Sequence, residues 1–285
     1  MVKQYLQSDR NFDDLAPKFK KKVYGNLKGK IRLAVLKKDF EEYYPEILRT
    51  AKDTPLQILD AGCGYGPFSL TLARLGHRVT LCDHSERMLE MAAQTIDKEN
   101  LSMQTTLVHS SIQHFTRDTD RLYDMVLCHA VLEWVTDPRS LIRILLTHLK
   151  PGGILSLTFY NLHGMVYKNL LRTNYKKIVR KEYHGWPGSL TPANPLTADQ
   201  VLSWIEPYPL TVLCHSGIRV FHDYILDPKD RTRHPDTVLA LELEFSRQPP
   251  YRDLGRYQHI LMKKHSVLHD QPSEKDTAGQ GSNRC

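Results

Sequence analysis

The chain has 285 residues, 41% of them hydrophobic, with a formal net charge of +7, and this length fits one large domain or one domain with additions. No apolar run reaches the roughly 20 residues that span a bilayer, and the first residues lack the apolar core of a signal peptide, so we expect a cytoplasmic protein that is not in a membrane. The five cysteines and 14 histidines lack zinc-ligand spacing, which predicts no metal site.

A mainly helical segment is predicted over residues 9–51, within an N-terminal cap of residues 1–55, because apolar side chains recur there at helical spacing. From residue 56 onwards strands and helices alternate: strand 56–60, helix 67–75, strand 78–83, helix 85–98, strands 103–108 and 124–129, helix 138–149 and strand 154–160. This alternation with short connections is typical of an α/β fold with a doubly wound, mostly parallel sheet of seven strands. Residues 56–160 are therefore the predicted ligand-binding core.

Residues 161–264 are interpreted as an insertion followed by the closing strands of the same domain. The stretch 161–200 is rich in basic and aromatic residues, and we expect it to cover the carboxyl ends of the strands, where α/β sheets bind ligands. Segments 210–224 and 256–263 are predicted closing strands, with a helix over 236–247 between them. Residues 265–285 have no apolar pattern and are predicted to be disordered.

The positive charge is concentrated in two blocks that flank the core. Residues 1–55 contain 13 Lys and Arg against 8 Asp and Glu, and residues 160–190 contain 6 against 1, so each block has a net charge of +5. The core, 56–159, holds 9 against 11. The blocks are either solvated surface or a footprint for phosphates, which supply most of the non-specific affinity for nucleic acids. Charge alone does not separate these two interpretations.

The sequence around Gly62 and Gly64 carries the most chemistry. The apolar strand before it ends in Asp60, glycines follow at every second position through Gly66, and such a turn lets a ligand lie against the backbone, since glycine has no Cβ. Dinucleotide sites use G-x-G-x-x-G instead and bind pyrophosphate. An acidic residue before the loop suits a ligand with an ammonium or sulfonium group. The pattern resembles the first motif of the Rossmann-like class I S-adenosylmethionine-dependent methyltransferases; a turn without a ligand is the alternative.

Two later strand ends support a nucleoside ligand. Asp83 closes the strand 78–83, where an acidic side chain accepts both ribose hydroxyls of NAD or S-adenosylmethionine, although it would also serve as the cap of the next helix. After the third strand, Ile112 offers an apolar face to an adenine and Gln113 offers a polar contact. Any loop between strands looks similar, so the adenine assignment has low specificity on its own.

Candidates for contact with the methyl acceptor come from two other segments. His129 ends the fourth strand and lines either the methionine moiety or the acceptor. Arg219, His222 and Tyr224 alternate along a predicted extended segment, which would bring the arginine and a ring to one wall of the pocket. A guanidinium is suited to a carboxylate or a phosphate. The alternative is an edge strand with one polar face.

From residue 9 to about residue 264 the chain resembles the bacterial tRNA 5-carboxymethoxyuridine methyltransferases. The resemblance rests on these motifs: Asp9-Arg-Asn-Phe-Asp-Asp, Tyr24-Gly-x-x-Lys-Gly, Asp60-Ala-Gly-x-Gly, His129-Ala-Val-Leu-Glu-Trp-Val-x-Asp-Pro-Arg, Phe159-Tyr-Asn-x-His-Gly, Gly217-x-Arg-Val-Phe-His-Asp-Tyr and Leu254-Gly-Arg-Tyr. It implies methyl transfer from S-adenosylmethionine to the carboxylate of 5-carboxymethoxyuridine, the wobble base in the tRNA anticodon arm, giving the methyl ester.

The resemblance also implies contacts with the cofactor S-adenosylmethionine at these positions: Arg32, Gly62, Cys63, Asp83, Ile112, Gln113 and His129. Asp60 and Gly64 complete the set that we predict from the glycine motif. The family commonly has glycine where Cys63 stands and an acid where Tyr65 stands, so a contact through the side chain at position 65 would be lost. Arg32 would bind the cofactor carboxylate; without the resemblance it is interpreted as a surface arginine.

This reaction requires no catalytic triad. A carboxylate has a reference pKa of about 4, so it is ionised at neutral pH and needs no general base. Alignment of the reacting groups then supplies most of the catalysis. We predict that Arg219, with Tyr224 or His129, holds the acceptor carboxylate. Two rival hypotheses are a methyltransferase for a small carboxylate or quinone-like metabolite, and a tRNA-binding protein whose cofactor is structural.

Overall fold

A seven-stranded mixed sheet forms the centre of the structure. The computed structural model describes residues 8–16, 24–51, 54–183, 189–192 and 194–266. The strands are β1 (Gln57–Ala61), β2 (Arg78–Asp83), β3 (Thr105–His109), β4 (Tyr123–His129), β5 (Leu149–Tyr160), β6 (Leu210–Ile218) and β7 (Tyr257–Lys264). Their order is β3-β2-β1-β4-β5-β7-β6, with β7 antiparallel to both neighbours and the other pairs parallel. The predicted mostly parallel, doubly wound sheet is confirmed.

Helices connect the strands and cover the sheet. The described α-helices are α1 (Leu27–Tyr43), α2 (Ser69–Arg74), α3 (Glu86–Lys98), α4 (Ile112–Arg117), α5 (Pro138–Thr147), α6 (Leu162–Leu171), α7 (Tyr175–Val179), α8 (Ala198–Ile205), α9 (Pro235–Phe245) and α10 (Tyr251–Leu254). Short 3₁₀ helices lie at Pro45–Leu48, Leu132–Trp134, His222–Tyr224 and Asp230–Thr232. Within the described residues, no helix is both long enough and apolar enough to cross a membrane.

The central strands are buried on both faces, which explains their nearly continuous apolar sequence. Leu59 and Val126 pack into a core on one face of the sheet, whereas Ile58 and Leu127 pack into a second core on the other face. β1 lies between β2 and β4, at the point where the strand order reverses. The carboxyl ends of these strands therefore border the crevice in which doubly wound sheets bind their ligands.

The N-terminal segment is less helical than predicted. α1 begins after Asn26, whose side chain accepts a hydrogen bond from the Lys28 N–H, but residues 8–15 form turns and irregular backbone. The reason is tertiary: the Asp9 carboxylate accepts hydrogen bonds from the Thr136 N–H at 2.8 Å and from the Gln113 amide at 2.9 Å. This segment is thereby held against the first turn of α4, which follows β3, and against the loop that follows β4. The helical prediction for residues 9–15 was wrong.

The predicted extended segment 210–224 is also corrected. β6 ends at Ile218, Arg219 has a left-handed φ of 61°, and His222–Tyr224 is a 3₁₀ helix. The cause is Glu242 on α9, whose carboxylate accepts the N–H groups of residues 220, 221 and 222 at 2.7, 3.2 and 2.7 Å. These bonds take the backbone out of the sheet ladder. Arg219, His222 and Tyr224 therefore do not alternate along a strand.

The predicted insertion begins directly at the carboxyl end of β5. α6 and α7 form a helical hairpin, held by a small core that contains Tyr160, Met165 and Tyr183. The chain returns past β5 through a bridge between Asn161 and Leu196 and continues into α8, which the sequence pattern had not indicated. Residues 184–188 of the insertion and residues 267–285 of the predicted disordered tail lie outside the described residues. The division into cap, core, insertion and tail remains a prediction.

Candidate active site

The turn after β1 has backbone geometry that glycine adopts most easily. Gly62 and Gly64 have φ angles of +76° and +55°. A Cβ at Gly62 would lie 2.4 Å from a methyl group of Val131, whereas a Cβ at Gly64 would meet no atom of the described residues within 4 Å. The backbone of Gly64 therefore borders open space and can approach a ligand closely.

This open space belongs to a cavity that we call the donor cavity. It lies at the carboxyl ends of β1, β2 and β4. Its walls contain eight of the nine predicted cofactor residues: Arg32, Gly62, Cys63, Gly64, Asp83, Ile112, Gln113 and His129. The fold thus brings five separate segments of the chain to one place. Position 65, where the family has an acid, is not part of these walls.

Asp83 holds the glycine turn and faces the donor cavity. Its Oδ2 accepts the Gly64 N–H at 2.8 Å, and its Oδ1 accepts the Ser85 N–H at 2.8 Å. Burial raises the pKa of Asp83, while these N–H groups favour its ionised form. The cap of α3 is the Ser85 hydroxyl, which accepts the Met88 N–H, so the alternative role of Asp83 as that cap is not observed. A carboxylate in this position is suited to the hydroxyls of a ribose.

Asp60 is the predicted cofactor residue that does not line the donor cavity. It is 5% exposed at the end of β1, and burial raises its pKa to about 7 although the nearby Ser69 hydroxyl acts in the opposite direction. The negative charge of Asp83 raises this pKa further. The side chain lies near the Ser69 hydroxyl, at the first residue of α2. Its position therefore does not support the direct pairing with a cationic ligand that the sequence suggested.

An N-terminal strap, residues 9–12, forms part of the donor cavity wall, and the sequence pattern did not place it there. Asp9 accepts a hydrogen bond from Gln113, itself a predicted adenine contact. The Phe12 ring packs edge-on against Trp134, with 4.9 Å between ring centroids. The sequence signal for this strap was the motif that begins at Asp9 in the family resemblance.

Arg32 and Tyr257 lie at the boundary between the donor cavity and a second cavity. Arg32 is only 5% exposed, and its guanidinium lies 4.0 Å from the centroid of the Tyr257 ring. Its Nη1 lies 3.3 Å from the Tyr24 hydroxyl. The guanidinium of Arg219 lies 5.5 Å from the same Tyr257 ring. The alternative interpretation of Arg32 as a surface arginine was therefore wrong.

The second cavity, which we call the acceptor cavity, shares Arg32, Leu190 and Tyr257 with the first. Its described walls contain five cationic side chains and one carboxylate: Lys28, Arg32, Lys168, Arg219, Arg256 and Asp223. Burial lowers the pKa of Lys168 to about 8, despite the opposing effect of Asp223. Walls with this excess of positive charge favour an anionic occupant.

Asp223 organises the cations of the acceptor cavity. Its Oδ2 lies 3.4 Å from Arg219 Nη2, 3.6 Å from Lys168 Nζ and 3.7 Å from Arg256 Nε. Burial opposes ionisation, but these cations, together with a hydrogen bond from His222, hold the pKa of Asp223 well below its usual value. One carboxylate does not neutralise three cations, so positive charge remains for a ligand.

Arg219 has two features of a ligand-binding side chain. Its left-handed backbone, with φ of 61°, costs about 1–3 kcal/mol in a non-glycine residue, and such strain is concentrated at functional sites. Its Nε is buried and has no hydrogen-bond partner among the described residues. A buried guanidinium N–H without a partner is a place where an anionic ligand can complete the hydrogen bonding.

The other two predicted acceptor contacts do not line the acceptor cavity. The Tyr224 hydroxyl lies 2.6 Å from the Leu254 carbonyl and 3.0 Å from the Gly164 carbonyl, so it joins α6 to the segment before β7. His129 lines the donor cavity, and burial lowers its pKa well below the usual value. Of the three residues, the structure places Arg219 alone in the acceptor cavity.

One buried cluster among the described residues has the chemistry of metal ligands: Asp39, Cys214 and His259. The Arg247 guanidinium donates to Asp39 Oδ1 at 2.7 and 2.9 Å, and His259 Nδ1 lies 2.7 Å from Asp39 Oδ2. A guanidinium bound to this carboxylate would repel a metal cation. The cluster is better explained as a hydrogen-bond network.

Comparisons with known proteins point to the same chemistry. A family model described as a methyltransferase domain matches residues 59–157. The tRNA 5-carboxymethoxyuridine methyltransferase of Escherichia coli strain K12 is 37% identical over 256 residues, which cover 90% of this chain and 97% of that protein. The chain belongs to the tRNA 5-carboxymethoxyuridine methyltransferase family. The ubiquinone biosynthesis O-methyltransferase of Rickettsia akari is 36% identical, but over 37% of this chain and 41% of that protein.

Solved structures share the fold of this member of the tRNA 5-carboxymethoxyuridine methyltransferase family. Magnesium protoporphyrin IX methyltransferase from Synechocystis has a TM-score of 0.57 at 17% identity, covering 89% of this chain and 96% of that chain. A plantazolicin methyltransferase has a TM-score of 0.51 at 18% identity, covering 88% and 94%. The protein is an S-adenosylmethionine-dependent methyltransferase. The open space at Gly64 and the Asp83 carboxylate beside it fit that cofactor.

Proposed function

We propose that this protein transfers a methyl group from S-adenosylmethionine to the carboxylate of 5-carboxymethoxyuridine at the tRNA wobble position, giving the methyl ester. The observation that carries the proposal is the acceptor cavity, whose five cations against one carboxylate adjoin the donor cavity. The match to the Escherichia coli relative, 37% identical over 90% of this chain and 97% of that protein, supports the same substrate.

S-adenosylmethionine, when bound, supplies a methyl group on a positively charged sulfur. For the cofactor we propose that Asp83 binds the ribose hydroxyls, that Ile112 and Gln113 contact the adenine and that Arg32 binds the cofactor carboxylate. The backbone of the glycine turn, residues 62–64, lies against the ligand because no Cβ intervenes at Gly64.

The acceptor carboxylate is already ionised at neutral pH, so no side chain has to remove a proton. The task of the acceptor cavity is to bind and orient it. We propose that Arg219 holds it through the buried Nε, while Lys168 and Arg256 add attraction. Because Asp223 shares these cations, the bound carboxylate is not fully neutralised and keeps its nucleophilicity.

For the tRNA itself we propose that the hairpin of α6 and α7 contacts the anticodon arm. This hairpin exposes basic side chains, among them Arg172, Lys176 and Arg180, and it exposes 56% of Tyr175. Lys168 on α6 lines the acceptor cavity, so the exposed basic surface is continuous with the site. Basic groups bind phosphates, and exposed aromatic rings stack on unpaired bases of RNA loops. The cytoplasmic location remains a prediction.

The rival substrate, a small carboxylate or quinone-like metabolite, is less well supported. The ubiquinone biosynthesis O-methyltransferase of Rickettsia akari matches only 37% of this chain. The tRNA 5-carboxymethoxyuridine methyltransferase of Escherichia coli matches 90% of it. A small metabolite would also not use the basic hairpin. The third hypothesis, a tRNA-binding protein with a structural cofactor, does not explain why a cationic cavity adjoins the proposed cofactor site.

The proposal is tested with purified protein, S-adenosylmethionine and tRNA whose wobble base is the free acid. Nucleoside mass spectrometry should show the methyl ester after a single turnover, and no product from tRNA that lacks the carboxymethoxy group. The free nucleoside is the control for the small-metabolite hypothesis. Equal rates on the nucleoside and on tRNA, without salt dependence, would contradict the proposal, and so would the absence of any ester.

A further inference from the structure

A buried chain of hydrogen bonds connects Asp39 on α1 with His129 at the donor cavity. His259 Nδ1 lies 2.7 Å from Asp39 Oδ2, and His259 Nε2 lies 2.9 Å from Ser156 Oγ. Ser156 Oγ in turn lies 2.8 Å from His129 Nε2. Asp39, Ser156 and His259 are 0% exposed, so bulk water does not compete for these atoms.

Asp39 sets the direction of the first hydrogen bond. Burial opposes its ionisation, but His259 and Arg247 hold the pKa of Asp39 below its usual value, so the group is a carboxylate and can only accept. Its Oδ1 already accepts from Arg247 at 2.7 and 2.9 Å and from the Ser216 hydroxyl at 2.8 Å. His259 must therefore carry a proton on Nδ1 and donate it to Oδ2.

The remaining directions follow along the chain. When His259 is neutral, its Nε2 has no proton and accepts from the Ser156 hydroxyl. Ser156 Oγ has then used its single proton, so it accepts from His129 Nε2–H. Burial, with the Arg32 guanidinium acting in the same direction, lowers the pKa of His129, so its ring carries one proton. That proton is on Nε2, and Nδ1 has none.

We propose that Asp39, His259 and Ser156 are positioning residues that fix His129 in its Nε2–H tautomer and present an unprotonated Nδ1 to the donor cavity. A nitrogen lone pair accepts a hydrogen bond from an ammonium group, such as that of the methionine moiety, and repels a carboxylate. His129 is therefore a cofactor-binding residue and does not hold the methyl acceptor. This last consequence rests on the proposed function, whereas the tautomer itself does not.

The opposite arrangement requires a second proton on His259. Its Nε2–H would then donate to Ser156, Ser156 would donate to His129 Nε2, and His129 would carry its proton on Nδ1. The charged and titratable groups around His259 are Asp39, Arg247, Cys214, His215 and His129. The two arrangements differ in the protonation of two identified rings, so spectroscopy separates them.

Two-bond ¹H–¹⁵N spectra of the full chain, labelled on histidine nitrogens and recorded near neutral pH, distinguish both neutral tautomers from the imidazolium. His129→Gln and His259→Gln assign the two signals. We expect His129 as the Nε2–H tautomer and His259 as the Nδ1–H tautomer. A wild-type His129 with its proton on Nδ1, or an imidazolium at either ring, would overturn the proposal.

Asp39→Asn should invert the whole chain. Because Arg247 and Ser216 both donate to Oδ1, the amide oxygen must stay there, and the amide NH₂ replaces Oδ2. It then donates to His259 Nδ1, each hydrogen bond reverses, and His129 gains a proton on Nδ1. Affinity for S-adenosylhomocysteine, measured by calorimetry, should fall roughly tenfold because a donor now faces the ammonium. Affinity for 5′-methylthioadenosine, which lacks the amino acid, should not change.

Ser156→Ala keeps the proposal testable if Asp39→Asn does not fold. It interrupts the chain, so His129 should lose its single tautomer. The matched control is Thr158→Val on the same strand, where the removed hydroxyl is buried and has no hydrogen-bond partner among the described residues; it should leave His129 unchanged. An unaltered His129 tautomer in the folded Asp39→Asn or Ser156→Ala variant would refute the proposal. Failure to methylate tRNA would refute the proposed function without altering these spectra.

Discussion

The donor cavity and the acceptor cavity are built in different ways. The donor cavity takes residues such as Gly64 and Asp83 from segments that follow successive strands in chain order. The acceptor cavity combines Lys28 from α1, Lys168 from α6 and Arg219 from the loop after β6. Each of these parts of the donor site is therefore visible in the short sequence at the end of one strand. The acceptor site, in contrast, requires α1, α6 and the segments next to β6 and β7 to pack against one another.

The two cavities also differ in charge. The described walls of the donor cavity contain two arginines and two aspartates: Arg10, Arg32, Asp9 and Asp83. Those of the acceptor cavity contain five cations and one carboxylate. A balanced site suits a cofactor with charges of both signs, whereas a cationic site suits an anionic acceptor. Substitutions at residues that line only one cavity should therefore leave the other function intact, which makes the comparison open to experiment.

The largest effect is expected from Gly64→Ala, which tests the donor cavity. The new Cβ would enter the open space beside Asp83, where we propose that the cofactor binds, and we expect a loss of about 3 kcal/mol, or roughly 100-fold in the dissociation constant of S-adenosylhomocysteine. Calorimetry measures this constant. The matched control is Gly152→Ala, which has a φ of +75° and lines neither cavity, so it bears similar backbone strain without the loss of affinity. Unchanged affinity in Gly64→Ala would show that the ligand does not contact this turn.

Arg219→Ala tests the acceptor cavity and should have the next largest effect. Loss of charge-assisted hydrogen bonds to the acceptor should cost about 2 kcal/mol, or roughly 30-fold in kcat/KM on tRNA carrying the free acid. Affinity for S-adenosylhomocysteine should stay at the wild-type value, because Arg219 does not line the donor cavity. Arg143→Ala, at an exposed arginine on α5, is the matched control. A parallel loss of cofactor affinity would show that the two cavities are not independent.

The sequence predicts most of the donor cavity because its signals are short-range. The spacing of Gly62 and Gly64, and the acid at the end of β2, are visible within a few residues of each other or of a strand. Asp60 was assigned a direct contact because a linear pattern does not show that its side chain lies near Ser69 and outside the walls of the donor cavity. The strap at Asp9 was wrongly predicted as helix, because the hydrogen bonds that hold it reach residues more than 100 positions away and leave no local signal.

The sequence predicts little of the acceptor cavity because its geometry depends on distant partners. Arg219 was a candidate from its residue type, but its left-handed backbone follows from Glu242, which binds the next N–H groups from α9. Lys28 and Arg256 look like ordinary surface charges until Asp223 gathers the cations around it. The doubly wound, mostly parallel sheet, in contrast, follows from alternating elements and was predicted correctly.

The pH dependence of KM tests whether Lys168 attracts the anionic acceptor. Its pKa, lowered to about 8 chiefly by burial, means that the ammonium is present below pH 8 and is lost above it. Attraction for an anionic acceptor should therefore weaken as the pH rises, and we expect KM for tRNA to increase roughly three- to tenfold between about pH 7 and about pH 9 with kcat little changed. Lys168→Arg should abolish this increase, because a guanidinium stays charged. The same increase in Lys168→Arg would assign the titration to another group.

The smallest effect at physiological salt is expected from the exposed hairpin, which extends the acceptor cavity towards the tRNA. The substitutions Arg172→Ala, Lys176→Ala and Arg180→Ala, combined in one variant, should weaken tRNA binding several-fold. Each phosphate contact with single-stranded nucleic acid contributes roughly 0.7 to the slope of log K against log salt, so the slope should become smaller by about 2. Fluorescence anisotropy with labelled tRNA at several salt concentrations measures this slope.

Position, and not total charge, must decide the result if the hairpin is the docking surface. The matched control therefore removes three exposed basic side chains from helices of the core: Lys98, Arg117 and Arg143. Both variants lower the net charge by three, and long-range attraction falls equally in each. If only the hairpin variant changes the salt slope, the lost contacts are local, and the acceptor cavity and the hairpin form one RNA-facing surface. Equal slopes in the two variants would show that the hairpin acts only through general electrostatic attraction. Contact with the substrate would then be confined to Arg219 and the other residues of the acceptor cavity.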